Sequence, residues 1–173
     1  MFGRSGILEI RAVMPEDAVA IAAIRRQNGV REGVLALSSE RINATAEFLN
    51  SLAERDRGFV AVENGEVVGF SVMIANREPC RAHSAFIAVM VNADFQQMGI
   101  GHKLLKHLVD RADNELMFHR LELLVLTDNE RAIKLYKSLG FMVEATRKHA
   151  AVVKGTFVNE YLMGRLRGEG AEI

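Results

Sequence analysis

With a single cysteine, Cys80, among its 173 residues, the chain cannot form an intramolecular disulfide, which fits a reducing compartment. The spacing Cys80-x-x-His83 resembles half of a metal site. No second pair and no His-Glu-x-x-His accompany it, so no metal is expected. Net charge is lacking too: 22 Lys plus Arg balance 22 Asp plus Glu, and neither nucleic acid nor an anionic membrane is suggested as a partner. No run approaches about 18 uninterrupted apolar residues, so no transmembrane helix is expected. The first residues show no basic segment leading into a long apolar one, and no signal peptide is read there. What remains is a soluble cytoplasmic protein, with 49% hydrophobic and 25% charged residues in the ordinary globular balance. At this length one domain with its own core is the default. We assign it residues 1–167 and read residues 168–173 as a frayed tail.

The patterning that is present alternates between strand and helix. Ile7–Val13 reads as a strand, and Pro15 with Glu16 and Asp17 opens a helix whose stripe of Ala18, Ile21, Ala22 and Ile24 runs on to Asn28-Gly29. After a loop at 30–39, where Ser39-x-x-Ile42 gives no capping box, Ala44, Phe48, Leu49 and Leu52 predict a second helix. Gly58–Glu63 and Glu66–Ile74 flank Asn64-Gly65, a strong hairpin signal. His83–Val91 is almost wholly apolar and is expected at the centre of the sheet. An amphipathic helix over 100–116, a strand at Arg120–Leu126 and a helix from Asn129 to Leu139 follow, the last closed by Gly140. Two strands, Phe141–Val153 and Thr156–Leu166, are joined around Lys154-Gly155. The order β-α-α-β-β-β-α-β-α-β-β predicts an α/β class protein with one mixed, mostly antiparallel sheet of about seven strands and helices on both faces.

Gln96-Gln97-Met98-Gly99-Ile100-Gly101-His102 stands where the central strand ends and the long helix begins. Unpaired N–H groups at the positive end of a helix dipole favour phosphate. A P-loop needs Gly-Lys-Ser/Thr at the helix start, which His102-Lys103-Leu104 does not supply. A dinucleotide turn needs a third glycine where Leu104 stands, although Asp128 could imitate its ribose-binding acid. A purely structural turn is the plain alternative. Downstream, Asn129 at a helix start and Tyr136 two turns later share a face about 10 Å apart. Thr127 with Glu130 is expected to cap that helix and leave the Asn129 side chain open to a ligand. Arg131, Lys134 and Lys137 read as a solvated face, and Lys103 as a further candidate for a phosphate.

Gln96-x-x-Gly99-x-Gly101, followed by Asn129-x-x-Ala132-x-x-Leu135-Tyr136-x-x-x-Gly140-Phe141, resembles the GNAT superfamily of acetyl-CoA-dependent N-acetyltransferases, and the element order agrees with that fold from end to end. Residues 120–166 are similar to a bacterial branch that includes L-amino-acid and ribosomal-protein acetyltransferases. The resemblance implies that the N–H groups of residues 97–102 bind the pyrophosphate of CoA, with glycine at 99 and 101 allowing close approach. It implies that the pantetheine arm runs beside Val89, Met90 and Val91, where the sheet splays from Arg120–Leu126, and that an N–H near Val91 polarises the thioester carbonyl. Asn129 and Ala132 would contact the arm, and Tyr136 would protonate the departing thiolate. No metal is involved. Relatives of this fold are often dimers, so a homodimer is allowed.

One family feature is missing. Many relatives carry a carboxylate on the fourth strand, but Ala85-Phe86-Ile87-Ala88-Val89 is apolar throughout. His83 at the entrance to that strand, Glu122 on the fifth strand, and solvent are the three candidates for deprotonating the amine. Residues 28–40 and the turn around 149–157 are expected to shape the acceptor pocket, with Arg31, Arg77, Arg81 or Arg147 available to an acceptor carboxylate. The acceptor implied is a primary amine, an amino acid or other small amine. A protein N-terminus, or a non-catalytic CoA-binding sensor module, is the alternative.

Overall fold

The computed structural model describes residues 7–41 and 43–168. Seven strands form one sheet in the order β1-β2-β3-β4-β5-β7-β6. They are β1 (Leu8–Ala12), β2 (Arg57–Glu63), β3 (Glu66–Ala75), β4 (Ser84–Val91), β5 (Arg120–Leu126), β6 (Met142–Val153) and β7 (Thr156–Leu166). Every pairing is antiparallel except β4 with β5. The apolar strand β4 is the fourth of seven, the central position its composition predicts. The hairpin at Asn64-Gly65 takes φ of 52° and 82°, and Lys154-Gly155 repeats it at 50° and 80°, the positive pair a type I′ turn requires.

Helices cover both faces. On one, α3 (Ile100–Asn114) and α4 (Glu130–Lys137) bury Leu104, Leu105, Leu108 and Tyr136 against Ala61, Met73, Ile87, Leu123 and Met163. On the other, α1 (Ala18–Arg25) packs Ile21 and Ile24 on Val60, Phe70, Val72 and Met90, with Leu49 of α2 (Asn43–Asn50) beside them. Burial of this apolar surface on both faces supplies the main driving force for the fold.

Helix α1 contains its apolar stripe but is shorter at both ends than the Pro15 start and the Asn28-Gly29 stop predict. Asp17 accepts the Met14 N–H at 2.8 Å and turns Pro15–Asp17 into a 3₁₀ segment. At the far end Gln27 reaches across the fold to accept the Ala93 N–H at 2.9 Å, so residues beyond Arg25 leave the helix to make a tertiary bond. Of the expected tail, residues 169–173 lie outside the described residues, as does Ile42. Arg167 is anchored, its N–H donating to His119 O at 2.8 Å.

Candidate active site

The sheet opens at its centre. Strands β4 and β5 pair only over Ser84↔Arg120, Ala85↔Leu121 and Phe86↔Glu122, and beyond that point they diverge. The N–H of Asn92 bonds to Val68 O on the β3 side. Backbone groups alternate along a strand, so those of Val89 and Val91 face the gap. Gln96 closes one corner: its Nε2 donates to Val91 O at 3.1 Å, and its Oε1 accepts from Arg131 on α4 at 2.6 Å. Its side chain is therefore a brace between β4 and α4.

On the α3/α4 side of the gap lies a groove of about 250 Å³ lined by Gln97, Gly99, Gly101, His102, Asn129 and Arg131, among others. Gly99 has φ of 78° with open space where a side chain would begin, and Gln97 has φ of 64°. The first intrahelical bond of α3 runs from Lys103 N–H to Gly99 O, so the N–H groups of Ile100, Gly101 and His102 have no partner within the helix. Gly101 serves packing as well: a Cβ there would sit 3.4 Å from Leu135 and 3.5 Å from Val91. The Ile100 side chain is in the core and Met98 is half-exposed outside the groove, which leaves both residues only backbone to offer.

Asn129 corrects an expectation. It is itself the cap of α4, its Oδ1 accepting the Ala132 N–H at 3.2 Å, and Thr127 instead donates its N–H to Asn159 O. A residue whose backbone leaves the helical region at the helix start is the natural cap. The Nδ2 of Asn129 donates to no group among the described residues, so half of its amide stays available on the groove.

Across the gap, on the α1/α2 side, is a cavity of about 540 Å³. Its walls are mostly apolar, with Val34, Phe48, Phe86 and Leu124 among them. Three charged side chains interrupt them: Arg25, whose Nε bonds Glu40 at 2.8 Å, Glu40 itself, and Glu160. Val89, Met90, Leu124 and Tyr136 line both the groove and the cavity, so the two meet at the split. Tyr136 is buried, its ring edge on Phe141 at 6.0 Å, and burial pushes its phenol up to about 12.

The site thus combines a glycine turn at a helix start, a split parallel pair beside it and a tyrosine shared by two joined cavities. The acetyltransferase (GNAT) family model matches residues 19–141. The chain belongs to this family. The L-amino acid N-acetyltransferase AaaT of Escherichia coli (strain K12) is 35% identical over 118 residues, which cover 67% of this chain and 73% of that protein. The [ribosomal protein bS18]-alanine N-acetyltransferase of the same organism is 29% identical over 102 residues, or 59% and 66% of the two chains. Among solved structures, a GCN5-related N-acetyltransferase from Kribbella flavida superposes with a TM-score of 0.82 at 27% identity over 92% of this chain and 97% of that one. YncA from Salmonella typhimurium, solved with its cofactor acetyl-CoA, superposes at 0.81 and 24% identity over 95% and 96%. The expected likeness to the amino-acid and ribosomal-protein branch is met by these relatives, and the chain is a GNAT-fold acyltransferase.

Within this GNAT fold the expected residues separate into two groups. Val89, Met90, Val91, Gln96, Gln97, Gly99, Gly101, His102, Asn129, Ala132 and Tyr136 line the groove together. His83 and Glu122 line neither cavity. His83 stands at the paired end of β4, where its carbonyl accepts the N–H groups of His119 and Arg120, some eight residues or roughly 26 Å along the strand from Val91. Glu122 sits at the last paired position and is bound to Arg120 at 2.7 Å. Arg31, Arg77 and Arg81 are paired with Glu32, Asp56 and Glu78 away from the cavity.

Sequence reasoning missed the link from Arg131, read only as solvated, to Gln96, and it missed Arg25 and Glu160. A signal existed for Glu160: it is an acid in an alternating strand at a position opposite buried Leu126. The loop at 28–40 does line the cavity, through Gly33, Val34, Leu35 and Glu40. The 149–157 turn touches that loop through Lys154 and Glu32 at 3.6 Å. Among the described residues no group of three or more His, Cys, Asp or Glu side chains is placed to hold a metal, and no helix is long and apolar enough to cross a membrane.

Proposed function

We propose that the protein transfers the acetyl group of acetyl-CoA to the primary amine of a small acceptor, by direct attack within a ternary complex. The observation that carries this reading is the meeting of groove and cavity at the β4/β5 split, with Tyr136 in both. A donor in the groove and an acceptor in the cavity come into contact only there. Family membership supports acetyl-CoA as the donor, and the cavity's apolar walls suit an amino acid with an apolar side chain.

The pyrophosphate binds the N–H groups at the start of α3, where Gly99 leaves room and the helix dipole favours an anion. The pantetheine arm lies along the unpaired edge of β4, and the Nδ2 of Asn129 reaches its amide. The N–H of Val89 or Val91 then donates to the thioester oxygen as charge develops on it. Tyr136 faces the sulfur. A phenol pushed up to about 12 is neutral at working pH but a weaker acid than a thiol, whose reference value is about 8.5. Tyr136 thus acts as a hydrogen-bond donor to the sulfur while the C–S bond breaks. Any proton it passes is replaced by one leaving the newly formed amide nitrogen, because a bare tyrosinate is unfavourable in so apolar a site.

Free-thiol release from acetyl-CoA, measured across L-amino acids, a diamine and a short peptide, tests the reading. We expect turnover on at least one free amine. Acetyl-CoA binding with no turnover on any acceptor would instead identify a sensor, and preference for the peptide would identify a protein N-terminus as the acceptor.

A further inference from the structure

We infer that Glu160 holds the acceptor's ammonium beside Tyr136 and takes its proton, so that this β7 carboxylate readies the nucleophile in place of an acid on β4. The inference rests on the acetyl-transfer reading above and adds a residue to it.

The geometry begins with register. On β7, Tyr161 and Met163 pack in the core under α3 and α4, so the alternating residues Glu160 and Leu162 face the α1/α2 side, where the cavity lies. The carbonyl of the preceding residue, Asn159, accepts the Thr127 N–H at 3.1 Å, and its side chain accepts the His149 N–H at 2.9 Å. These two bonds fix the β7 backbone just below the start of α4. Glu160 itself is only 5% exposed. Burying a carboxylate is unfavourable unless something compensates it.

The compensation is one-sided. Arg147 on β6 donates to Oε2 at 3.1 Å, with its own side chain 52% exposed. Oε1 accepts no hydrogen bond among the described residues. It is also absent from the buried oxygens sealed off without a partner, which are Glu63 Oε2 and Ser71 Oγ. One carboxylate oxygen is held by Arg147, while the other has no hydrogen-bond partner among the described residues and keeps some exposure, on a residue that lines the cavity. The other charged or titratable groups lining that cavity are Tyr136 from α4 and the pair Arg25–Glu40. Glu40 accepts from Arg25 through both oxygens, at 2.8 and 3.4 Å, and is not available in the same way.

A proton moves from the ammonium to Glu160 Oε1, and the freed lone pair forms the N–C bond at the thioester carbonyl. The C–S bond breaks with its electron pair on sulfur. The second nitrogen proton goes, through Tyr136, to that sulfur, and Glu160 later returns the first to solvent. The products are an amide, free CoA thiol and one proton.

The test is the Glu160→Gln variant, assayed by thiol release against pH on the best acceptor found for the wild type. Arg147 is half-exposed, so its loss of a partner leaves no buried charge and the fold should hold. We expect kcat/KM for the amine to fall on the order of a hundredfold or more at pH 7, in the range of lost general-base catalysis. The remaining activity should climb with pH as the free-amine fraction grows, and a weakly basic amine already neutral at pH 7 should lose least. Acetyl-CoA affinity should stay the same. If Glu160→Gln folds poorly, Glu160→Asp substitutes for it, with a smaller loss and the wild-type pH profile retained. Wild-type kcat/KM and pH profile in Glu160→Gln would overturn the inference alone. Loss of acetyl-CoA binding in that variant would also overturn it, by making Glu160 a scaffold for the split. Wild-type protein that binds acetyl-CoA but acetylates no amine would remove the underlying reading and this inference with it.

Discussion

The two sides of the β4/β5 split are made of different material. The groove is built largely from backbone: N–H groups at the start of α3, the unpaired edge of β4, and turn residues with positive φ. The cavity is built from side chains drawn from α1, the 26–41 loop, α2, β3, β4, β5 and β7. On the acetyl-transfer reading, backbone geometry would recognise what every donor of one type shares, a pyrophosphate and an amide chain. Side chains can be exchanged one at a time, which on the same reading would let the acceptor vary while the donor does not. Tyr136 lines both sides.

Removing what the two sides share should have the largest effect. Tyr136→Phe keeps the ring against Phe141 and deletes the hydroxyl alone. We expect kcat to fall on the order of a hundredfold, with KM for acetyl-CoA and for the amine both little changed. Steady-state kinetics with each substrate varied in turn checks this. Unchanged kcat would take the phenol out of the reaction and leave Tyr136 as packing.

The next effect separates the sides. Gly99→Val forces a β-branched residue into the left-handed region at φ of 78°, at about 1–2 kcal/mol. We expect KM for acetyl-CoA to rise roughly tenfold, with KM for the amine unaltered, since 1.4 kcal/mol is a factor of ten. An equal rise in both would show that the groove and the cavity are coupled through Gln96 and Arg131.

The same contrast explains what the sequence made legible. Groove residues are close together in the chain and answer to local rules. Glycine is favoured at φ of 78°, and an apolar run leads into an amphipathic helix, so Gln96–His102 is readable as an anion-binding turn, while Asn129 and Tyr136 gain their place from the family resemblance. One local error, assigning the cap to Thr127 with Glu130, arose because Thr127 and Asn129 are both cap-forming residues within one turn of the helix start. The cavity has no such locality. Glu160, Arg25 and Glu40 meet only because β7 inserts between β5 and β6 and α1 crosses the opposite face. His83 and Glu122 looked suitable because strand position is readable while strand register is not. The register ends the β4/β5 pairing at Glu122 and leaves both outside the cavities.

A smaller effect should fall on the acceptor side. Phe48→Ala removes an apolar wall from the cavity without touching the groove. Phe48 is partly exposed, so stability should change little, while KM for an amine with an apolar side chain should rise severalfold. A small acceptor that does not reach this wall should be unaffected. Equal rises for both acceptors would place the side-chain subsite elsewhere.

The smallest effect concerns acid stability of that same side. Asp17 precedes α1, and hydrogen bonds from Arg11 at 2.8 Å hold its carboxyl below the ordinary carboxylate range, helped by the Met14 N–H. A carboxyl depressed in the fold contributes stability while it is ionised. The contribution is present above its unfolded value of about 3.8 and is lost as pH falls through that value toward the folded one. Asp17→Asn should therefore melt a few degrees below wild type at pH 7, consistent with about 1–2 kcal/mol for weakened charge-assisted bonds, and the two melting curves should converge below about pH 4. Because α1 supplies Ile21 and Arg25 to the cavity and only its following loop touches the groove, Asp17→Asn should weaken amine binding before acetyl-CoA binding. A parallel loss of both would mean that α1 supports the whole split and that the two sides are less independent than their materials suggest.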